Sequence, residues 1–120
     1  GRLDRVDQEG DGFVIIDFKT SELNKQKEAD KRTRESLQLA LYALAYKTIY
    51  GQLPKRVELH FLESGLLGRD TKDEEDLFKV KENIEEVSRG IRCRNFNASP
   101  TYMACAYCAY NQICPCAVLK

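Results

Sequence analysis

The 120-residue sequence has no excess of either charge: 19 Lys and Arg balance 19 Asp and Glu. A global positive field of the kind that draws proteins to nucleic acid is therefore excluded, and any such function has to rest on particular residues. No apolar run is long enough to span a bilayer, no segment within the chain has the build of a targeting peptide, and no internal repeat recurs. The phosphate-binding GxxxxGK[ST] loop is missing, so these residues contain no P-loop ATPase motor. Histidine is limited to His60. Cysteine comes as an odd five, which, with no signal segment, counts against an extracellular disulfide framework. The length suits one domain, residues 1–120, with a real core.

What is present is most concentrated near the start. Residues 2–8 and 12–19 read as two strands, the second, Gly12-Phe13-Val14-Ile15-Ile16-Asp17-Phe18-Lys19, rich in β-branched and aromatic residues. The glycines of Gln8-Glu9-Gly10-Asp11-Gly12 permit the tight turn of a hairpin. With Gly10-Asp11 as the loop, Asp4 faces Asp17; with Asp11-Gly12, Asp4 faces Lys19 and lies diagonal to Asp17. Either even loop puts Asp4, Asp17 and Lys19 on one face, whereas a three-residue loop flips that parity. Facing carboxylates destabilise a sheet and raise each other's pKa, unless a hard cation such as Mg2+ lies between them. The Phe18 carbonyl is a further oxygen for such a cation. Lys19 is placed to orient or deprotonate a water, or to neutralise charge on a phosphate. A solvated hairpin with a surface ion pair has the same spacing.

Thr20 to Arg34 is polar, with Lys25, Lys27, Lys31, Arg32 and Arg34 forming a basic cluster. It reads as a solvated loop and helix start, or as an edge that contacts phosphate. The helix continues to about Tyr50, with Gly51 as its stop. Leu37 to Tyr46 is apolar nearly all round, the pattern of a buried helix. Gln38 and Tyr42 lie four apart on one face of it, and a glutamine there needs partners. Arg56 to Leu62 alternates as a strand, so strand, helix and strand suggest a right-handed crossover to a parallel neighbour. His60 points away from Val57, Leu59 and Phe61 and reads as an ordinary strand histidine. Residues 63–71 read as a loop. Thr71 is a candidate cap for a helix from Lys72 to Arg89, its stripe Leu77, Val80, Ile84 and Val87 packing the core and Gly90 ending it.

Three ordered motifs, GRLDRVD at Gly1–Asp7, VIIDFKT at Val14–Thr20 and QLALY at Gln38–Tyr42, closely resemble those of the PD-(D/E)XK nuclease superfamily, specifically its RecB-like branch. The resemblance covers Gly1 to about Cys116. It implies a restriction-endonuclease-like α/β fold, a mixed β-sheet flanked by helices, with the C-terminal cysteines as a metal staple. It further implies that Asp4 and Asp17 are metal ligands, Lys19 the catalytic lysine, and Gln38 and Tyr42 the accessory motif beside the site. The activity implied is Mg2+- or Mn2+-dependent hydrolysis of DNA phosphodiesters by an exonuclease or other nuclease. The expected setting is cytoplasmic, as the C-terminal part of a UvrD/Rep- or AddAB-type helicase acting in repair or recombination, with DNA and a helicase motor as partners and no membrane. The alternative is a non-catalytic DNA-binding module of a helicase complex. The first residue already sits in a motif, so the sequence is expected to be a piece of a larger protein and to be inactive by itself if the site is incomplete.

The tail from Cys105 to Cys116 is the second motif. The C-x2-C-x5-C spacing of Cys105, Cys108 and Cys114 suits thiolate ligands of zinc or an iron–sulfur cluster. It resembles the iron–sulfur subset of RecB-like nucleases, in which three cysteines fall at this spacing and a fourth lies upstream of the first nuclease motif. The resemblance implies a 4Fe-4S cluster in the intact protein. The fourth ligand is an upstream cysteine, Cys116 or Cys93, and these residues alone are expected to hold the cluster poorly or to carry zinc or free thiols. Tyr107 and Tyr110 could stack on bases, but the expected role is packing around the cysteines.

Overall fold

Gly10 takes a φ of 66°, which puts glycine at the first position of a two-residue loop. That loop, Gly10-Asp11, joins β1 (Arg5–Glu9) to β2 (Gly12–Lys19), with Glu9 facing Gly12 and Asp7 facing Val14. This is the first of the two even registers. The ladder stops at the Arg5–Ile16 pair, so β1 begins three residues later than the sequence suggests and Asp4 lies just outside the sheet. The computed structural model describes residues 1–118.

The crossover contains two helices rather than one, α1 (Gln26–Arg34) and α2 (Leu37–Tyr50). Ser36 breaks the expected single helix: its hydroxyl accepts from the Leu39 N–H at 3.2 Å, an N-cap that restarts the helix there. Gly51 closes α2 at a φ of 77°, donating its N–H to the Lys47 carbonyl, as the glycine stop requires. α2 is not buried all round. Leu39, Ala40, Ala43 and Tyr46 face the core, while Leu37, Leu41, Ile49 and Tyr50 are exposed.

β3 (Arg56–Phe61) pairs in parallel with β2, as the crossover predicts. Residues 63–71 are not simply a loop. Gly65, at a φ of 70°, turns the chain into β4 (Leu66–Asp70), which runs antiparallel to β3. The sheet order is β1-β2-β3-β4. β4 escapes a period-two reading because Gly68 sits at its centre. That glycine lets α1 lie directly on the strand: a Cβ there would meet Thr33 Oγ1 at 2.0 Å and the Ala29 carbonyl oxygen at 2.4 Å. One sheet face carries the core of Ile15, Val57, Leu59 and Phe61 under Leu39, Ala43 and Tyr46, with Leu23, Ala29 and Leu77 around it.

α3 (Glu74–Arg92) starts two residues later than expected. Asp73, not Thr71, serves its first turn: Asp73 Oδ1 accepts from Asp76 N–H at 2.9 Å and Asp76 Oδ2 accepts from Asp73 N–H at 3.1 Å. Gly90 does not end the helix, which turns off at Arg94 with a φ of 53°. Its apolar stripe is only half core: Leu77 and Val80 are buried, but Ile84 and Val87 are exposed. The chain forms two compact units, Gly1–Glu85 and a second beginning at Glu86. The second contains the end of α3, the short α4 (Tyr102–Ala106) and a run of turns.

Candidate active site

Asp17 lies near the end of β2 on the core-facing side, only 2% exposed. The alternation that points Ile15 into the core points Asp17 the same way, two residues further, where α2 begins. Gln38, in the first turn of α2, reaches it: Gln38 Nε2 donates to Asp17 Oδ1 at 3.0 Å. Lys19 continues the same face, and its Nζ donates to Gln38 Oε1 at 2.7 Å. Nζ also stands 2.7 Å from Asp17 Oδ2. That approach is ionic but off the hydrogen-bonding direction, so Oδ2 is a buried oxygen with no hydrogen-bond partner. Tyr42, one turn after Gln38, accepts from Gln38 Nε2 at 2.9 Å.

Asp4 joins this group from outside the sheet. It is exposed, and its Oδ2 accepts from the Phe18 N–H at 3.0 Å. The expectation that Asp4 shares a sheet face with Asp17 and Lys19 therefore needs correcting: the ladder has ended, and the backbone of Phe18 positions the carboxylate instead. The Phe18 ring lies on the other face of the sheet, edge-on to His60 with centroids 5.7 Å apart.

Asp17, Lys19, Gln38 and Tyr42 thus form one connected network with Asp4 beside it. The donor set suits a hard divalent ion. Asp17 Oδ2 is met by the Lys19 ammonium, and the carboxylates of Asp17 and Asp4 are hard oxygen donors of the kind Mg2+ takes, an ion that needs few protein ligands because it keeps several waters. Among the described residues no group of three or more His, Cys, Asp or Glu side chains is arranged to hold a metal.

That last observation bears more heavily on the cysteines. All five are free; Cys105 is buried, Cys114 half-buried, and Cys93, Cys108 and Cys116 exposed. Cys105 Sγ accepts from the Val118 N–H at 3.4 Å. The turns linking Cys105, Cys108 and Cys114 carry backbone bonds from Cys108 N–H to Cys105 O and from Cys114 N–H to Tyr110 O. The thiols are the right chemistry for a thiophilic metal, but the expected staple is not assembled among the described residues. Tyr107 and Tyr110 are exposed rather than packed around them.

The opposite face of the sheet holds a cluster that the sequence reading missed. Glu58 is 3% exposed and accepts from Arg56 Nε at 2.6 Å and Arg69 Nε at 3.1 Å, with His60 Nε2 2.7 Å from its other oxygen. Burial pushes its carboxyl up, but the His60 and Arg56 hydrogen bonds, the Arg56 charge and Arg69 outweigh this and leave it below the ordinary value. Arg56 also holds Glu9, whose carboxyl is drawn down to about 2 by Arg56 and then Lys55. Glu9, Arg56, Glu58, His60 and Arg69 line a hollow of about 240 Å³ with Arg5 and Asp7. The outward alternation of Arg56, Glu58 and His60 was visible, but the approach of Arg69 to Glu58 depends on the register of β4 against β3. His60 does point away from the core, as expected. The basic cluster of α1 is exposed, with Arg32 paired to Glu28 at 3.1 Å.

A family model for the PD-(D/E)XK nuclease superfamily matches residues 1–115. The chain belongs to the PD-(D/E)XK nuclease superfamily. Membership agrees with the mixed four-stranded sheet flanked by helices and implies hydrolysis of phosphodiester bonds by a nuclease. A search of curated proteins found no match. No helix among the described residues is long and apolar enough to cross a membrane.

Proposed function

We propose that this PD-(D/E)XK domain is a RecB-like, Mg2+- or Mn2+-dependent DNA nuclease. The observation that carries the reading is the buried Asp17 carboxylate held against Lys19 by Gln38, with Asp4 alongside. Asp4 and Asp17 would hold the metal, with the Phe18 carbonyl as a further oxygen. A bound Mg2+ would supply a water of lowered pKa and neutralise charge on the scissile phosphate. Lys19, gripped by Gln38 Oε1, orients the attacking water and faces the charge that develops on phosphate. Gln38 fixes both Asp17 and Lys19, so the carboxylate and the ammonium keep one geometry. The exposed lysines and arginines of α1 supply phosphate contacts without a global basic field.

By resemblance, the domain works at the C-terminal end of a cytoplasmic helicase or helicase–nuclease in DNA repair, whose motor supplies the strand to be cut. The cysteine spacing supports a 4Fe-4S cluster held by Cys105, Cys108 and Cys114 in the longer protein. The test of the catalytic reading is DNA degradation by full-length protein with Mg2+ or Mn2+, comparing wild type with Asp17→Ala and Lys19→Ala. Each substitution is expected to lower the rate at least about a hundredfold, the scale of losing a positioned acid–base or electrostatic group. Equal degradation by all three would overturn the reading.

A further inference from the structure

We propose that Tyr42 is a positioning residue that holds Asp4 in place beside Asp17, an inference that rests on reading those two carboxylates as metal ligands. Asp4 needs such a device. The β1–β2 ladder ends at Arg5–Ile16, so the sheet does not fix the backbone of the exposed residues before it. Two hydrogen bonds replace the ladder. One is Phe18 N–H to Asp4 Oδ2 at 3.0 Å, and the other is Tyr42 hydroxyl to the Arg2 carbonyl, two residues back, at 2.6 Å. The Tyr42 ring also lies against this segment: a Cβ at Gly1 would meet Tyr42 Cε1 at 3.4 Å.

The direction of the Tyr42 bond is set by the site itself. Lys19 is an ammonium and only donates, so the Gln38 atom facing it must be the amide oxygen. Gln38 Nε2 is thereby turned to Asp17 Oδ1, an acceptor, and to the Tyr42 oxygen. With its oxygen accepting from Gln38, the hydroxyl has its single proton free for the Arg2 carbonyl, which can only accept. One chain of hydrogen bonds thus links Lys19 and Asp17 through Gln38 and Tyr42 to the backbone that carries Asp4. Tyr42 couples the helix to the segment outside the sheet.

The test is Mn2+ binding, without DNA, to full-length wild type, Tyr42→Phe, Asp4→Ala, Asp17→Ala and the Asp4→Ala/Tyr42→Phe double variant, followed by calorimetry or by the paramagnetic resonance of free Mn2+. Tyr42→Phe keeps the ring and removes only the hydroxyl. It is expected to weaken Mn2+ binding about threefold to tenfold, the scale of one hydrogen bond, and to have no further effect once Asp4 is Ala. Wild-type affinity in Tyr42→Phe, or the same loss in the Asp4→Ala background, would overturn the proposal. A mere folding defect would carry into that background and so counts against it. Unchanged Mn2+ binding in Asp17→Ala would instead sink the metal-site reading on which the proposal stands.

Discussion

Asp17 is a carboxylate that the fold buries to 2% exposure with the Lys19 ammonium 2.7 Å from its Oδ2. Burying a carboxylate costs stability, and a metal ion bound by Asp17 would add to the compensation that Lys19 supplies. Mg2+ or Mn2+ is therefore expected to raise the melting temperature of the wild-type protein. At a metal concentration a hundred times Kd the gain is about 2.7 kcal/mol, readable by differential scanning fluorimetry. Asp17→Ala should abolish the metal-dependent rise, and a rise of equal size in that variant would show that the ion binds elsewhere. Ser36 is a plainer case of one residue with one task. Its hydroxyl caps α2, and Ser36→Ala is expected to cost about 1 kcal/mol in denaturant titration. Because Gln38 is two residues from that cap, loss of capping also loosens the grip on Asp17 and Lys19.

Among the elements, α1 and β4 owe their contact to Gly68. A methyl there would strike backbone atoms of α1 as well as Thr33, so the helix would have to move rather than a side chain. Gly68→Ala is expected to destabilise by about 2 to 3 kcal/mol, at the upper end for overpacking, seen as a lower denaturation midpoint with the same slope. The outer face of the sheet depends on a charge cluster in place of apolar cover. Glu58 is held below its ordinary value of 4.5 in the folded state. A depressed carboxylate contributes stability above its unfolded pKa and loses it as pH falls through the folded value. Stability should therefore decline as pH drops below about 4.5, and more gently in Glu58→Gln, which at neutral pH costs about 2 kcal/mol because Arg56 and Arg69 lose their shared carboxylate. Urea titrations across acid pH would check both statements; an unchanged acid slope in Glu58→Gln would assign the decline to other carboxylates. β4 and α2 were the elements least legible from the sequence. β4 lacks a clean alternation because its central residue is chosen for closeness rather than for apolarity. α2 looked buried all round because composition does not say how many faces a neighbour covers.

For the molecule as a whole, balanced charge means that DNA affinity has to be local. The cysteine tail, in the second compact unit, is the other global question. Anaerobically purified full-length protein is expected to absorb visible light and contain iron, with Cys108→Ser and Cys114→Ser losing both; colourless, iron-free protein would refute the cluster. The motif residues Asp17, Lys19, Gln38 and Tyr42 were legible because strand and helix periodicities each put two of them on one face. The cysteines were legible as a spacing, yet spacing alone does not bring thiols to a common point.

The sequence by itself determined the hairpin of residues 2–19, the parallel crossover, the inward row of β3 and which residues carry the motifs, since these follow from turn chemistry and from side-chain periods along a single segment, while the choice between the two even loops came from the structure. Tertiary structure alone decided the rest. It ended the ladder before Asp4, gave that carboxylate to the Phe18 amide, tied Arg2 to Tyr42, and brought Arg69 of β4 to Glu58 of β3. Each of these joins residues from different elements. Such contacts depend on where strands stop and how helices sit on them, which no local pattern encodes.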